Sequence, residues 1–246
     1  MARKATAKSA QERTAVYCGT RNLYADMETA AKSLLRNTPS VERVWFLIED
    51  DEFPSELPGC ISVKNVSGQK WFRPDGPNFK SHWTWMVLMR AALSKVFPKL
   101  DRVLSLDCDT IVEADIGELW ELPLEDEYFA AVREPRKSTA DFLYCNFGVA
   151  MLNLKKLRKD KKDDEVIAAL NGRHFDANEQ DAMNELCQGH ICRLPGDYNI
   201  SDWTDPFMGR KIRHYAWESP NWRANPLVSQ YRRMPWEKVR PGANSE

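Results

Sequence analysis

Arg43-Val44-Trp45-Phe46-Leu47-Ile48 is apolar on both faces and stops at the acidic run Glu49-Asp50-Asp51. A strand of that kind belongs where helices cover both sides of a sheet, which is the environment of parallel strands. The flanking pattern agrees. Thr14-Ala15-Val16-Tyr17-Cys18 reads as a short buried strand, and after it Met27, Ala30, Ala31, Leu34 and Leu35 recur at helical spacing. These residues predict a helix capped by Asp26 and stopped before Pro39. Strand, helix, strand in that order is a parallel βαβ unit.

A third short strand is expected near Ile61 to Val66, then a loop from Gly68 to Asn78 that carries Trp71, Phe72, Pro74, Gly76 and Pro77 and is long enough to be functional. Ser81 is placed to cap the next helix, whose apolar stripe is Trp85, Leu88, Met89, Ala92, Leu93 and Val96, ending at Pro98. The strand Arg102 to Leu106 follows directly. Downstream, Tyr128 to Val132 and Phe147 to Asn153 read as strands. Asp164 to Leu170 and Asn178 to Cys187 read as helices, the latter closed by Gly189. This alternation, without internal repeat or low-complexity linker, predicts an α/β domain with a mainly parallel sheet flanked by helices. The expected limits are a disordered basic N-terminus over 1–13, the domain over 14–222, and an irregular basic and aromatic tail over 223–246.

With 35 Lys and Arg against 36 Asp and Glu, the net charge of −1 gives no global field to draw nucleic acid, so no nucleic-acid partner is expected and specificity must be local. Six cysteines (Cys18, Cys60, Cys108, Cys145, Cys187, Cys192) contain no CxxC pair, several within apolar runs, which reads as a reduced cytoplasmic protein without structural zinc. No stretch approaches the roughly 18 apolar residues of a membrane span, and Met1 to Arg13 lack the apolar segment of a signal peptide.

Asp107-Cys108-Asp109 follows the strand Val103-Leu104-Ser105-Leu106, and ligand crevices of open α/β sheets lie beyond the carboxyl ends of strands. In extended backbone, residues i and i+2 face the same side, so both carboxylates can reach one hard cation while Cys108 turns away. An Asp-x-Asp triplet alone is weak, about one per chain of this length by chance, and otherwise marks a turn or helix cap. Here a buried strand precedes it and Ile111-Val112 follow, which favours a metal site.

The segment Asp101-Arg102-Val103-Leu104-Ser105-Leu106-Asp107-Cys108-Asp109-Thr110-Ile111-Val112, with Asp115-Ile116-Gly117-Glu118-Leu119-Trp120 after it, resembles the metal-binding segment of glycosyltransferase family 8, which includes glycogenin and bacterial lipopolysaccharide galactosyl- and glucosyltransferases. Further matches come in the family's order: Asn146-Phe147-Gly148-Val149-Ala150-Met151-Leu152-Asn153, then Glu179-Gln180-Asp181-Ala182-Met183-Asn184, then Leu194-Pro195 with Tyr198-Asn199. The resemblance implies a GT-A type Rossmann-like nucleotide-diphospho-sugar transferase fold, a UDP-sugar donor carrying glucose or galactose, bound Mn²⁺ or else Mg²⁺, and transfer with retention of configuration. It implies Asp107, Asp109 and His214 as metal ligands, and an imidazole added to two carboxylates favours Mn²⁺ over Mg²⁺. A lone His is otherwise more often structural.

Donor contacts implied in the same way fall on Thr20 and Asn22 after the first strand, on His82 and Arg90 of the helix before Asp107, on Asp107, Cys108 and Asp109 themselves, and on Asn146, Gly148 and Asp181. Gly19 to Asn22 read equally as a plain loop leading into a helix. Glu179 replaces the family's first Asp and would hydrogen-bond the donor sugar; Gln180 is the residue set closest to the reacting face. Both are the implied catalytic pair. The family's C-terminal pattern His-x-x-Gly-x-x-Lys-Pro-Trp is incomplete, because Trp217 and Pro220 stand at the Gly and Lys positions.

Without the Lys, stricter dependence on the cation is expected, as is help from Arg90, Arg213 or Arg223. Two other readings share these residues: a UDP-sugar and metal-binding module with little turnover, and a nucleotidyltransferase, for which a glycine-rich phosphate loop is missing. The acceptor, whether a glycan, a lipid-linked sugar or a protein hydroxyl, carries no signature. The cations and tryptophans Arg210, Lys211, Arg213, Trp217, Trp222, Arg223, Arg232, Arg233 and Trp236 suggest peripheral contact with anionic membrane or, equally, a tail packed back on the domain.

Overall fold

The computed structural model describes residues 12–81, 83–201, 209–216 and 221–240. Three parallel strands open the chain: β1 (Thr14–Cys18), then after helix α1 (Tyr24–Asn37) β2 (Arg43–Ile48), then β3 (Ile61–Asn65). The α1 stripe Met27, Ala30, Ala31, Leu34 and Leu35 is fully buried, as its spacing requires. The helix starts earlier than expected, however. Leu23 holds the N-cap position, and Asp26 lies inside the first turn, 2% exposed, where Arg223 and Arg232 take its carboxylate.

The expected helix over 81–97 forms with a different geometry. Trp85–Ala92 is a 3₁₀ run, longer than such runs usually are, and only α2 (Leu93–Val96) is α-helical. Its cap is Thr84, whose hydroxyl accepts the Met86 N–H at 3.0 Å, while Ser81 hydrogen-bonds Trp83 instead. The stripe Leu88, Met89, Ala92, Leu93 and Val96 is buried as read; Trp85 stacks on Phe79 with centroids 5.4 Å apart.

β4 (Val103–Leu106), β5 (Thr110–Val112), β6 (Phe129–Arg133) and β7 (Cys145–Leu152) follow, then α3 (Leu154–Lys159), α4 (Lys162–Gly172), α5 (Asn178–Leu186), β8 (Ile191–Leu194), β9 (Ile212–His214) and α6 (Pro226–Arg233). The seven-stranded sheet has the order β3-β2-β1-β4-β7-β6-β8. Four neighbouring pairs are parallel, and β7 runs antiparallel to both β4 and β6. No helix lies between β6 and β7, and a connection without a crossover element returns antiparallel. The sheet is therefore mixed and mostly parallel, a GT-A type α/β arrangement with helices on both faces. β1 and β4 are adjacent at the point where strand order reverses, which opens a crevice beyond their carboxyl ends.

Alternation along β1 divides the core. Ala15 and Tyr17 join α1, Phe46, Leu104 and Leu106 on one face; Val16 joins Leu47, Met89, Leu93, Phe147 and Met183 on the other. Each such buried Leu, Phe or Met contributes about 1.5–3 kcal/mol. β5 and β9 form a separate two-stranded antiparallel ladder, and with β8 they went unread, being three or four residues long with no clear alternation.

Within 223–246, expected to be irregular, α6 forms: Asn225 caps it, Pro226 occupies its first turn, and Val228 and Tyr231 pack against Ile111, Tyr215 and Trp222. With only two buried apolar positions, it left little periodicity to read. Glu12 and Arg13 belong to the ordered part, Arg13 bonding Glu42 and Glu121; the rest of the segment expected to be disordered lies outside the described residues.

Candidate active site

Asp107 extends the β4 ladder by one bond, its N–H reaching the Gly148 carbonyl at 2.8 Å. The chain then turns: the Thr110 hydroxyl donates to the Asp107 carbonyl at 2.7 Å and β5 begins. The two carboxylates thus converge through a tight turn instead of the extended pleat anticipated. Cys108 does face away, buried, its thiol donating to the Cys18 carbonyl at 3.3 Å.

β9 brings in the third group. Antiparallel pairing sets His214 opposite Thr110, and the following Tyr215 N–H bonds the Asp109 carbonyl at 3.0 Å. The imidazole Nε2 lies 3.3 Å from Asp109 Oδ1 and 3.6 Å from Asp107 Oδ2, and the potential ligand atoms of the three residues lie within 4.8 Å of one another.

A buried relay sets the tautomer. The Gly148 N–H donates to Asn146 Oδ1 at 3.0 Å, so Asn199 must present its NH₂ to that oxygen, at 2.9 Å. Asn199 Oδ1 then faces His214 Nδ1 at 3.0 Å, an oxygen that can only accept. Nδ1 therefore carries a hydrogen, which leaves Nε2 facing the carboxylates as the nitrogen that could ligate a divalent cation once its own proton is displaced. Gly148 is required by space, since a Cβ there would sit 2.2 Å from His214 Cε1. Burial alone would depress the His214 pKa, but the Asp109 and Asp107 carboxylates raise it above its ordinary value. Two carboxylate oxygens and a fixed imidazole nitrogen fit a divalent cation.

Arg90, 8% exposed, bridges the next pair: one nitrogen bonds Asp107 and the Phe147 carbonyl, the other Glu179. Its guanidinium is thus occupied by protein carboxylates. Burial pushes Glu179 up to about 7 against the pull of Arg90. Gln180 is held on both sides of its amide, accepting from the Phe147 N–H at 2.8 Å and donating to the Tyr144 hydroxyl at 2.9 Å. Asp181 bonds the same hydroxyl and the Ala177 N–H.

A cleft of about 300 Å³ gathers Arg90, Asp107, Asp109, Asn146, Glu179, Gln180 and His214 among the anticipated residues. Thr20, Asn22, Cys108, Gly148 and Asp181 do not line it; Asn22 is exposed on the turn after β1, bonded to the Thr20 hydroxyl at 2.5 Å. His82, Trp217 and Pro220 lie outside the described residues. Glu134, Lys137, Asp176 and Trp83 also line it, beside the apolar Val87, Ala177 and Ala216, and were missed, since single residues on irregular connections carry no periodic signal.

An α/β fold of this kind with a possible divalent-metal site of Asp107, Asp109 and His214 at its switch point is the arrangement of glycosyltransferases. The match of a model of glycosyl transferase family 8 to residues 16–205, more than half of the chain, narrows it: the chain belongs to that family. It is similar to glycosyltransferase GlyE of Streptococcus pneumoniae, 26% identical over 245 residues, covering 94% of this chain and 58% of GlyE. To GlyD of the same organism it is 26% identical over 212 residues, covering 76% of this chain and 24% of GlyD. The chain thus spans a part of these relatives. The crystal structure of GlyE superposes with a TM-score of 0.71 over 93% of this chain and 62% of that one, at 21% identity. That of galactosyltransferase LgtC with donor and acceptor sugar analogues superposes with a TM-score of 0.66 over 91% and 98%, also at 21% identity.

Proposed function

We propose that this chain moves a hexose, glucose or galactose, from a UDP-sugar to an acceptor hydroxyl with retention of configuration and with Mn²⁺ as its cation. The observation that carries the reading is His214 Nε2, turned toward two carboxylates in the switch-point cleft by a buried relay that engages Nδ1. When bound there, the cation supplies Lewis-acid stabilisation of the charge that builds on the leaving diphosphate.

The chain's own residues do the positioning. Arg90 locks Asp107 and Glu179 in place, and Gln180, tied to Phe147 and Tyr144, holds one fixed amide face at the cleft. Gln180 is a poor nucleophile and Glu179 is committed to Arg90, so front-face displacement fits better than a covalent glycosyl intermediate. The acceptor oxygen bonds the anomeric carbon as the bond to the phosphate oxygen breaks, and the acceptor proton passes to the departing diphosphate. Glu179, 1% exposed beneath the cleft, adds negative charge near the sugar as positive charge develops.

Incubation with UDP-glucose or UDP-galactose and Mn²⁺ tests this without a known acceptor. UDP and free hexose are expected, abolished by EDTA and by Asp109→Asn with the melting transition retained. UMP with hexose phosphate would mean nucleotidyl transfer, and no product a binding module.

A further inference from the structure

Asp181 does not line the cleft, although the family resemblance implied it as a donor contact, yet it bonds the residue that ties down Gln180. Tyr144, 4% exposed just before β7, donates its hydroxyl hydrogen to Asp181 Oδ1. The same hydroxyl oxygen receives Lys137 Nζ at 3.1 Å and Gln180 Nε2 at 2.9 Å. Gln180 Oε1 accepts the Phe147 N–H at 2.8 Å, and Asp181 Oδ2 accepts the Ala177 N–H at 2.7 Å.

Each of these bonds has one possible direction. A backbone N–H and an ammonium only donate, so Phe147 calls for the Gln180 oxygen and Lys137 for a lone pair of Tyr144. With its oxygen placed, the Gln180 amide must offer its NH₂ to Tyr144. A hydroxyl holds one hydrogen and two lone pairs, and both lone pairs are taken, so the hydrogen goes to the Asp181 carboxylate, which only accepts. Burial and the bond to Asp181 push the Tyr144 pKa well above its ordinary value, which keeps that hydrogen in place. Lys137, 3.5 Å from Asp181 Oδ1, balances the carboxylate charge. Gln180 therefore lines the cleft with its amide held against rotation, and one N–H and one oxygen lone pair remain for a ligand in fixed places.

We propose that Asp181 is a positioning residue for the transfer: it sets the direction of the Tyr144 hydroxyl and thereby which edge of the Gln180 amide meets the donor sugar. The proposal rests on the donor reading above. The isosteric change Asp181→Asn would reverse the chain of bonds. The Ala177 N–H demands an oxygen, so the introduced amide would turn its NH₂ to Tyr144, whose oxygen would then face three donors. The hydroxyl hydrogen would have only Gln180 left to accept it, and a flipped Gln180 amide would set its NH₂ against the Phe147 N–H. Asp181→Ala instead removes an acceptor without adding a donor. Asp181 is partly exposed, so water can take the hydroxyl hydrogen there and Gln180 keeps its direction.

The test compares Asp181→Asn, Asp181→Ala and Tyr144→Phe with the wild type in hydrolysis of UDP-glucose and UDP-galactose with Mn²⁺, and in melting. The Gln180 side-chain amide is followed by NMR of ¹⁵N-labelled protein, its signals assigned by their loss in Gln180→Ala. In Asp181→Asn, kcat is expected to fall about 10–100-fold at unchanged donor KM, with the Gln180 signals displaced. Asp181→Ala is expected to lose less than Asp181→Asn, the reverse of what lost contact or lost packing would give. An Asp181→Ala loss as large as that of Asp181→Asn would overturn the proposal. So would a raised donor KM in both variants, which would mark Asp181 as a donor contact, or unmoved Gln180 signals in Asp181→Asn. Should Asp181→Asn fail to fold, Tyr144→Phe decides: a fall in kcat at wild-type KM supports the chain of bonds, and wild-type kcat refutes it. A wild type that hydrolyses neither donor would sink the donor reading and leave Asp181 to be judged on the Gln180 signals.

Discussion

His214 is held in opposite senses from its two sides: Asn199 requires a hydrogen on Nδ1, while Asp107 and Asp109 favour a second one on Nε2 as long as no cation is there. Burial works against that second proton, but the carboxylates outweigh it and raise the His214 pKa above 6.5. Burial also penalises charged Asp109, yet the imidazolium lowers its pKa below 3.8. Without metal, the raised His214 contributes stability that is present below pH 6.5 and lost as pH rises through its folded value. Asp109 contributes stability present above pH 3.8 and lost on acidification through its folded value. Because a cation must displace the Nε2 proton, the gap between melting temperatures in Mn²⁺ and in EDTA is expected to widen as pH rises through and above 6.5. A pH-independent gap would exclude His214 as a ligand. Asn199→Leu removes the oxygen that holds Nδ1–H, and Mn²⁺ affinity is expected to fall about 10–100-fold; unchanged affinity would show that the relay does not orient the ring.

The clearest mechanical demand on an element falls on β7. It is paired with β4 and, on either side of a register shift that skips Phe147 to Val149, with β6, and the Gly148 carbonyl accepts the Asp107 N–H, which holds the backbone beside the imidazole that crosses Gly148. In Gly148→Ala the added Cβ would meet His214 Cε1 at 2.2 Å and Asp107 Oδ2 at 2.9 Å. The ring is expected to shift, with loss of Mn²⁺ binding and a cost of about 1–3 kcal/mol in urea unfolding. Wild-type stability and metal affinity in that variant would refute the assigned packing. Gly148 was identified from family resemblance as a donor contact; its role in the structure is to make room for His214, which only the meeting of β7 with β9 reveals.

Across the molecule, the C-terminal residues that suggested membrane contact are largely accounted for by the domain itself. Trp222 is 4% exposed against Tyr215, Arg223 and Arg232 bind Asp26, and Lys211 bonds Glu118 and Tyr198. Lys32 lies over the Trp236 ring at 4.9 Å. Among the described residues no helix is long and apolar enough to cross a membrane. The chain is therefore expected to remain unbound in flotation with anionic liposomes, and salt-sensitive co-flotation would restore the membrane reading.

The strands β1, β2 and β4 were legible as short apolar runs, because a strand covered on both faces is apolar throughout, and the buried faces of α1 and of the 85–96 run because one-sided burial of a helix imposes a period of 3.6. Asp107 and Asp109 were legible for a related reason: a carboxylate pair at the end of an apolar strand is a local pattern. What the sequence could not decide was pairing between distant segments. The reversal of β7, the β5–β9 ladder that delivers His214, and the Asn146–Asn199 relay across 53 residues each depend on long-range contacts that no local period records. Charge shows the same division. Asp26 reads as a helix cap from its neighbours, and only the return of Arg223 and Arg232 from about 200 residues away, driven by the cost of burying an unpaired carboxylate, makes it the anchor of the C-terminal segment.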